Sequence, residues 1–253
     1  MAAGQEPIIA DDIEVRVLSE HDEFRDTLNV QMGVWKFSQI DQVPPRILSV
    51  SKYIGGLVLG AYDGKRMVGF SLSFPGMKRT GTAYWHSHMT GVLDEYQNRG
   101  VGYKIKLKQR AEAIHCGVDL VEWLFDPLQI RNAHFNIEKL GVVVQRFLPN
   151  QYGITSSPLH GGLPTDRLVA EWNVMSTRVA AAITGGGGDR QVEQTIQIPA
   201  AIGEWRANDP EKARSVQTRV REEFQECFGQ GLAVIGYERN EQGGAYQLGP
   251  LDA

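Results

Sequence analysis

The stretch DEYQNRGVGYKIKLKQRAEAI, Asp94 to Ile114, sets a glycine-rich turn against the start of a basic helical pattern. Its first residues read Gln97-Asn98-Arg99-Gly100-Val101-Gly102. At the first turn of a helix the backbone N–H groups have no intrahelical partner, and the positive end of the helix dipole lies in the same place. Glycines there let an anion approach the amides without meeting a Cβ. The stretch is therefore a candidate phosphate cradle. A Walker loop needs a Lys-Ser/Thr pair after its second glycine, and a dinucleotide fingerprint needs a third glycine or alanine; Lys104 and Ile105 supply neither.

Working outward, TAYWHSHMTGVL before the turn alternates like a strand. Tyr84, His86, His88 and Thr90 fall on one face, with Trp85, Ser87 and Met89 on the other. After the turn, Tyr103, Leu107, Ala111 and Ile114 recur at helical spacing as the expected buried stripe, with Lys104, Lys106 and Lys108 as a solvated basic face. Upstream, IEVRVL reads as a strand and the residues from Ser19 as a helix. RILSVSKYIGG reads as a short helix, and LVLGAYDGKRMVGFSLSFPG as a hairpin turning at Asp63 and Gly64. Downstream come a strand ending at Asp126-Pro127, a helix RNAHFNIEKLG, and the strands VVVQRFL and RLVAEWNVMS. TGGGGDR then reads as a linker or loop tip, followed by a helix with Asp209 as N-cap and Pro210 at its first position, and by two strands.

The bulk numbers bound the function. A chain of 253 residues with 42% hydrophobic and 22% charged residues is an ordinary globular composition, and a net charge of −4 argues against a general nucleic-acid binder. Two distant cysteines, Cys116 and Cys227, give neither a disulfide framework nor a zinc spacing and are expected to be small buried hydrophobes. The opening residues carry no basic segment followed by an apolar run, and no apolar stretch reaches the ~20 residues of a membrane helix. A cytoplasmic protein with no membrane partner is expected.

The order of elements, together with the turn, resembles the GNAT superfamily of acyl-CoA-dependent N-acetyltransferases over roughly Ile13 to Ser176. The resemblance implies an α+β (mixed α/β) fold with a central, mostly antiparallel twisted sheet flanked by helices. It gives a cofactor-binding domain over 1–176, a glycine-rich linker or loop over 177–190, and a small C-terminal α-β-β extension over 191–253, packed on the core or on a partner subunit. Acetyl-CoA or CoA is the implied cofactor. Its pyrophosphate would be held by Gln97, Asn98, Arg99, Gly100, Val101, Gly102 and Tyr103. TGVLDEY matches the family's lead-in to that turn, so Met89, Thr90 and Val92 would lie beside the acyl-pantetheine arm. In the family's N-x-x-A…Y-x-K-x-G-F pattern, Ala133, Lys139, Leu140 and Gly141 fall in register, but Asn132 is displaced by two residues, Ile137 stands where a tyrosine acid is usual, and Val142 replaces an aromatic. The departure leaves the general acid unassigned.

The implied reaction is acetyl transfer to an amine by direct attack in a ternary complex. The alternative is a CoA-binding sensor or scaffold without turnover. In the family, splaying of the strands holding Met89 and Phe125 opens the cleft where cofactor and acceptor meet. His88 is then a candidate base or a packed strand histidine, because imidazole titrates near neutral pH. Asp126 either orients the amine or caps the next helix, and Tyr152 is a replacement acid or a packed ring. Asp166 and Arg167 offer recognition of a charged acceptor or form a surface ion pair. His86 and His88 find no third ligand by spacing, so no metal is expected. The acceptor is a small-molecule or peptide amine, and a homodimer stays open.

Overall fold

The computed structural model describes residues 12–36, 41–153, 162–186 and 190–251. The chain divides into two compact units, one through Val121 and one from Glu122. The expected mixed α/β architecture is present, and every strand pair of defined register is antiparallel.

In the first unit, β1 (Ile13–Val17), β2 (Leu57–Asp63), β3 (Arg66–Met77) and β4 (Ala83–Val92) lie side by side in chain order. Helix α1 (His21–Trp35) starts where Glu23 reaches back to the amides of Ser19 and Glu20 at 2.8 and 2.9 Å, satisfying two otherwise orphaned donors. Helix α2 (Pro45–Tyr53) opens on Pro45 at its first turn, where a missing N–H costs nothing. The expected hairpin is present, turning at Gly64 and Lys65 between the paired Asp63 and Arg66, one residue later than expected, with Gly64 at φ 56°.

Helix α3 (Val101–His115) departs from expectation in its orientation. Its buried residues are Val101, Ile105, Lys106, Gln109 and Ala113, whereas Ala111 and Ile114 are exposed. Lys106 does not belong to a solvated face. Its Nζ donates to Ser87 Oγ at 3.1 Å and to Gln109 Oε1 at 2.9 Å, and Gln109 Nε2 donates to Ser73 Oγ at 2.7 Å and Ser87 Oγ at 3.0 Å. Hydroxyls on β3 and β4 thus give two polar helix residues somewhere to go, which rotates the buried stripe away from the apolar one. Cys116, at the end of α3, is exposed; only Cys227 is buried as expected.

Most of β5 (Leu120–Phe125) belongs to the second unit, which starts at Glu122. Helix α4 (Ile130–His134) runs on into a π-helical turn, Phe135–Lys139, before β6 (Val143–Leu148) and β7 (Arg167–Asn173). Within the stretch expected as linker, α5 (Thr177–Ile183) is helical, with Ser176 accepting from the amide of Val179; residues 187–189 lie outside the described residues. Then follow β8 (Gln194–Pro199), α6 (Ile202–Asn208), α7 (Pro210–Gly229), β9 (Ala233–Asn240) and β10 (Gly243–Gly249). Asp209 accepts from the amide of Lys212 at 3.1 Å, so the expected cap of α7 is real; β8 and α6 were not legible.

Strand order in this unit is β5-β7-β6-β9-β10-β8. Glu138 secures the C-terminal strands, accepting from the amide of Tyr237 at 2.7 Å and from both terminal nitrogens of Arg190 at 2.6 and 3.0 Å. Trp172, fully buried, donates to the Leu140 carbonyl at 2.7 Å. Among the described residues no helix is long and apolar enough to cross a membrane.

Burial lowers the Lys106 pKa to about 7. The unfolded chain keeps that proton up to about pH 10.4 whereas the folded one releases it near 7, so stability rises with pH across this interval. Denaturant titrations between pH 7 and 9.5 should show a rising contribution of up to about 1.4 kcal/mol per pH unit, and Lys106→Met should flatten it. An unchanged slope in the variant would show that Lys106 is not buried as a neutral amine.

Candidate functional site

Strand β4 alternates as its sequence demands: Trp85, Ser87 and Met89 are buried, while Tyr84, His86, His88 and Thr90 take the opposite face. Its pairing with β3 slips at one point. Met89 stands opposite Leu72 and Ser87 opposite Ser73, which leaves His88 as an extra residue, a β-bulge. A bulge bends the strand and re-aims the side chain it carries. His88 packs its ring 5.5 Å from that of Phe74 and 6.1 Å from that of His86. Desolvation on the packed side lowers its pKa below the ordinary histidine value, favouring the neutral, proton-accepting imidazole. Among the described residues no three His, Cys, Asp or Glu side chains gather as a metal site.

At its end β4 enters a 3-10 turn, Asp94–Tyr96, that is held on both sides. Tyr96 OH donates to Asp63 Oδ2 at 2.7 Å, Arg66 pairs with Glu95 at 2.6 Å, and the Arg99 guanidinium lies 5.0 Å from the centre of the Tyr96 ring. Gln97 Nε2 donates to the Val92 carbonyl at 3.3 Å and to Asp94 Oδ1 at 2.8 Å, tying the turn to the strand that delivers it. Asn98 at φ 61° and Gly100 at φ 78° then bend the chain into α3. Gly100 is the N-cap of that helix and offers no side-chain acceptor to the first-turn amides. A Cβ built on Gly102 meets only Val92 Cγ2, at 3.9 Å, so the protein itself leaves that space open. Gln97 to Tyr103 thus make the left-handed turn that opens into the first turn of α3.

The remaining candidates belong to the second unit. Asp126 Oδ1 accepts from the amide of Leu128 at 2.9 Å, and Oδ2 accepts from Arg206 of α6 at 2.7 Å, both side chains being about nine-tenths buried. It is a turn cap and the partner of a cation, which leaves it poorly placed to accept a proton. Tyr152 is half-exposed, 5.4 Å from the Arg167 guanidinium; desolvation raises its pKa and Arg167 opposes the rise. Asn132 is exposed and its Oδ1 accepts from Asn136 Nδ2 at 3.4 Å, while Ile137, in place of the usual tyrosine, is buried. Asp166 and Arg167 are not a surface pair. Both are buried, and the carboxylate of Asp166 takes Arg221, at 3.0 and 2.9 Å, instead of its neighbour. Arg206 and Arg221 had no sequence signal, because they lie 80 and 55 residues from the carboxylates they meet.

No protein-family model and no curated protein matches the sequence. Solved structures do share its fold. A GNAT-family protein from Desulfovibrio desulfuricans aligns over 64% of this chain and 99% of its own, with a TM-score of 0.51 and 12% identity. Arabidopsis thaliana Naa50, in complex with a bisubstrate analogue of CoA and a peptide, aligns over 63% and 97%, at 0.50 and 13%. The yncA protein of Salmonella typhimurium, with acetyl-CoA as cofactor, aligns over 65% and 95%, at 0.50 and 14%. The fold is that of the GNAT acetyltransferases.

Gly100 sits where an L side chain is strained, whereas Gly102 does not. Gly100→Val should destabilise the protein by about 1–2 kcal/mol, the cost of the left-handed conformation, and Gly102→Ala should change it by less than about 1 kcal/mol. Chemical denaturation of the two variants checks the order; equal losses would contradict the geometry of the turn.

Proposed function

We propose that the protein binds acetyl-CoA at the Gln97–Tyr103 turn and transfers the acetyl group to an amine by direct attack in a ternary complex. One observation carries this reading: a helix N-terminus with no side-chain cap, entered through Gly100 at φ 78° and open in front of Gly102. That arrangement suits a pyrophosphate, which takes several amide donors at once. The lead-in strand supports it, because the backbone of Met89, Thr90 and Val92 runs directly into the cradle. The fold neighbours that hold CoA groups agree with it.

Acetyl-CoA supplies the activated acyl carbon. In our reading His88 accepts the proton released as the amine forms its new C–N bond, its neutral form being favoured by the packing of Phe74. Tyr152 is the proposed donor to the departing thiolate, and Asn132 a contact for the cofactor arm. Asp126 is a positioning residue, since its carboxylate is engaged by Arg206 and the Leu128 amide.

Calorimetric titration with acetyl-CoA, followed by thiol-release measurements over a panel of amines, tests the reading. We expect binding by the wild type and at least a tenfold weaker affinity in Gly102→Val, whose Cβ meets only Val92 Cγ2, at 3.9 Å. Binding without CoA release for any amine would leave a sensor, and no binding would remove the pyrophosphate assignment. For the base, His88→Gln should lower kcat by about 10²-fold or more. Because the neutral imidazole is the active form and its pKa is lowered, kcat/KM should hold to a more acidic pH than an ordinary histidine base would allow before it falls. A profile indifferent to His88 excludes it as the base.

A further inference from the structure

Helix α2 turns its apolar face outward. Of its nine residues only Leu48 and Ser51 are buried, whereas Ile47, Val50 and Tyr53, with Ile54 directly after the helix, are exposed. Positions three, four and seven apart share a helix face, so these four side chains form one arc. Val50 is 50% exposed and Tyr53 is 90% exposed. A surface helix ordinarily shows water its polar side, and an apolar arc left outside marks a contact surface.

Two hydrogen bonds bring a second element to the same end of the first unit. Ser51 Oγ donates to the Ser73 carbonyl at 2.7 Å, and Trp85 Nε1 donates to the Gly55 carbonyl at 2.8 Å. The end of α2 therefore lies against the stretch where β3 leaves the sheet and β4 enters it. At that connection Met77 is 68% exposed and Arg79 is exposed, while the Lys78 ammonium sits 4.8 Å from the centre of the Tyr84 ring. Arg46 lies on the apolar arc of α2 itself, and Lys52 is exposed near the end of the helix.

Charge narrows the choice of partner. Between Gln42 and Leu93 the chain carries six Lys and Arg residues and a single carboxylate, Asp63, in a protein of net charge −4. Asp63 stands at the other end of β2, where it accepts from Tyr96. The elements that build this end of the unit thus contribute cations and apolar side chains and no acid. Such a surface fits a partner that is anionic outside and apolar beneath. Tyr53 stands out from the surface instead of lining a groove, so whatever covers it must close around it. A headgroup layer does so, and tyrosine, apolar along its ring and polar at its tip, suits that layer.

We propose that the outer face of α2 and the β3–β4 connection form a docking surface for an anionic lipid membrane. The contact is peripheral and needs no spanning segment, the feature on which the expectation of no membrane partner rested. Strand β4 runs from this surface at Ala83 to Val92, just before the glycine turn, so the docked face and the turn lie at opposite ends of one strand. The inference stands independently of the acetyl-transfer reading.

Co-sedimentation of the full chain with vesicles tests it. Vesicles of equal parts phosphatidylcholine and phosphatidylglycerol should bind the protein at least tenfold more tightly than vesicles of phosphatidylcholine alone. The difference should vanish in about 1 M salt, where the Debye length is ~3 Å. Two double variants at exposed positions, each checked for folding by its thermal melt, divide the contact: Tyr53→Ser with Ile54→Ser removes the apolar part, and Arg46→Glu with Arg79→Glu reverses the charge. Each should weaken vesicle binding at least tenfold. No binding to the anionic vesicles, or binding that persists in either variant, would overturn the proposal. Binding to soluble polyglutamate as tight as to the vesicles would overturn it too, and would assign the face to an acidic protein.

Discussion

The amides at the start of α3 are the group on which the first unit turns. A helix usually quenches these donors with a serine, threonine, aspartate or asparagine at its N-cap. Gly100 provides none, so the donors persist at a position that the rest of the unit holds still. Two sets of interactions do the holding. Tyr96 on Asp63 and Arg66 on Glu95 fix the turn from the hairpin side, and Lys106 with Gln109 fixes the helix to β3 and β4 through Ser73 and Ser87. The anion site proposed for this turn requires donors that do not reorganise on binding, a requirement that such a network serves.

In the second unit, carboxylates are matched by arginines far along the chain, in pairs that range from half-buried to buried. Glu138, Asp126 and Asp166 each take an arginine from the region beyond residue 189, namely Arg190, Arg206 and Arg221. Breaking such a buried pair by removing one partner leaves an isolated charge, which is why these contacts constrain where the C-terminal elements can lie. The C-terminal segment thereby supplies polar groups to the ends of β5 and β7.

Much of this was legible. The hairpin at Gly64, the alternation of β4, the turn at Gln97–Gly102 and the Asp209 cap all follow from local chemistry: a turn residue, a two-residue period, a missing Cβ, a carboxylate before a proline. Where the sequence reading failed, the deciding partner lay far along the chain. Tyr103, Leu107, Ala111 and Ile114 form an apolar stripe on α3, yet Lys106 and Gln109 face inward because Ser73 and Ser87 wait there, and no periodicity within the helix records those serines. The bulge at His88 is likewise a mismatch between two strands, invisible in either alone. Asp126 reads correctly as a cap, but its second oxygen is spoken for by a residue 80 positions later.

Strand β6 lies between β7 and β9, meeting β9 at Val144 opposite Val234, so a strand of the same chain stands on each of its sides. A strand with two neighbours has no free row of N–H and C=O groups left to template a third. Self-association of this protein by continuing the sheet from β6 into a second copy is therefore closed off: the three terminal strands occupy the place such a copy would take. Any pairing between chains must use another edge, or side-chain packing between faces, and so would follow different symmetry rules from a sheet shared across a subunit boundary.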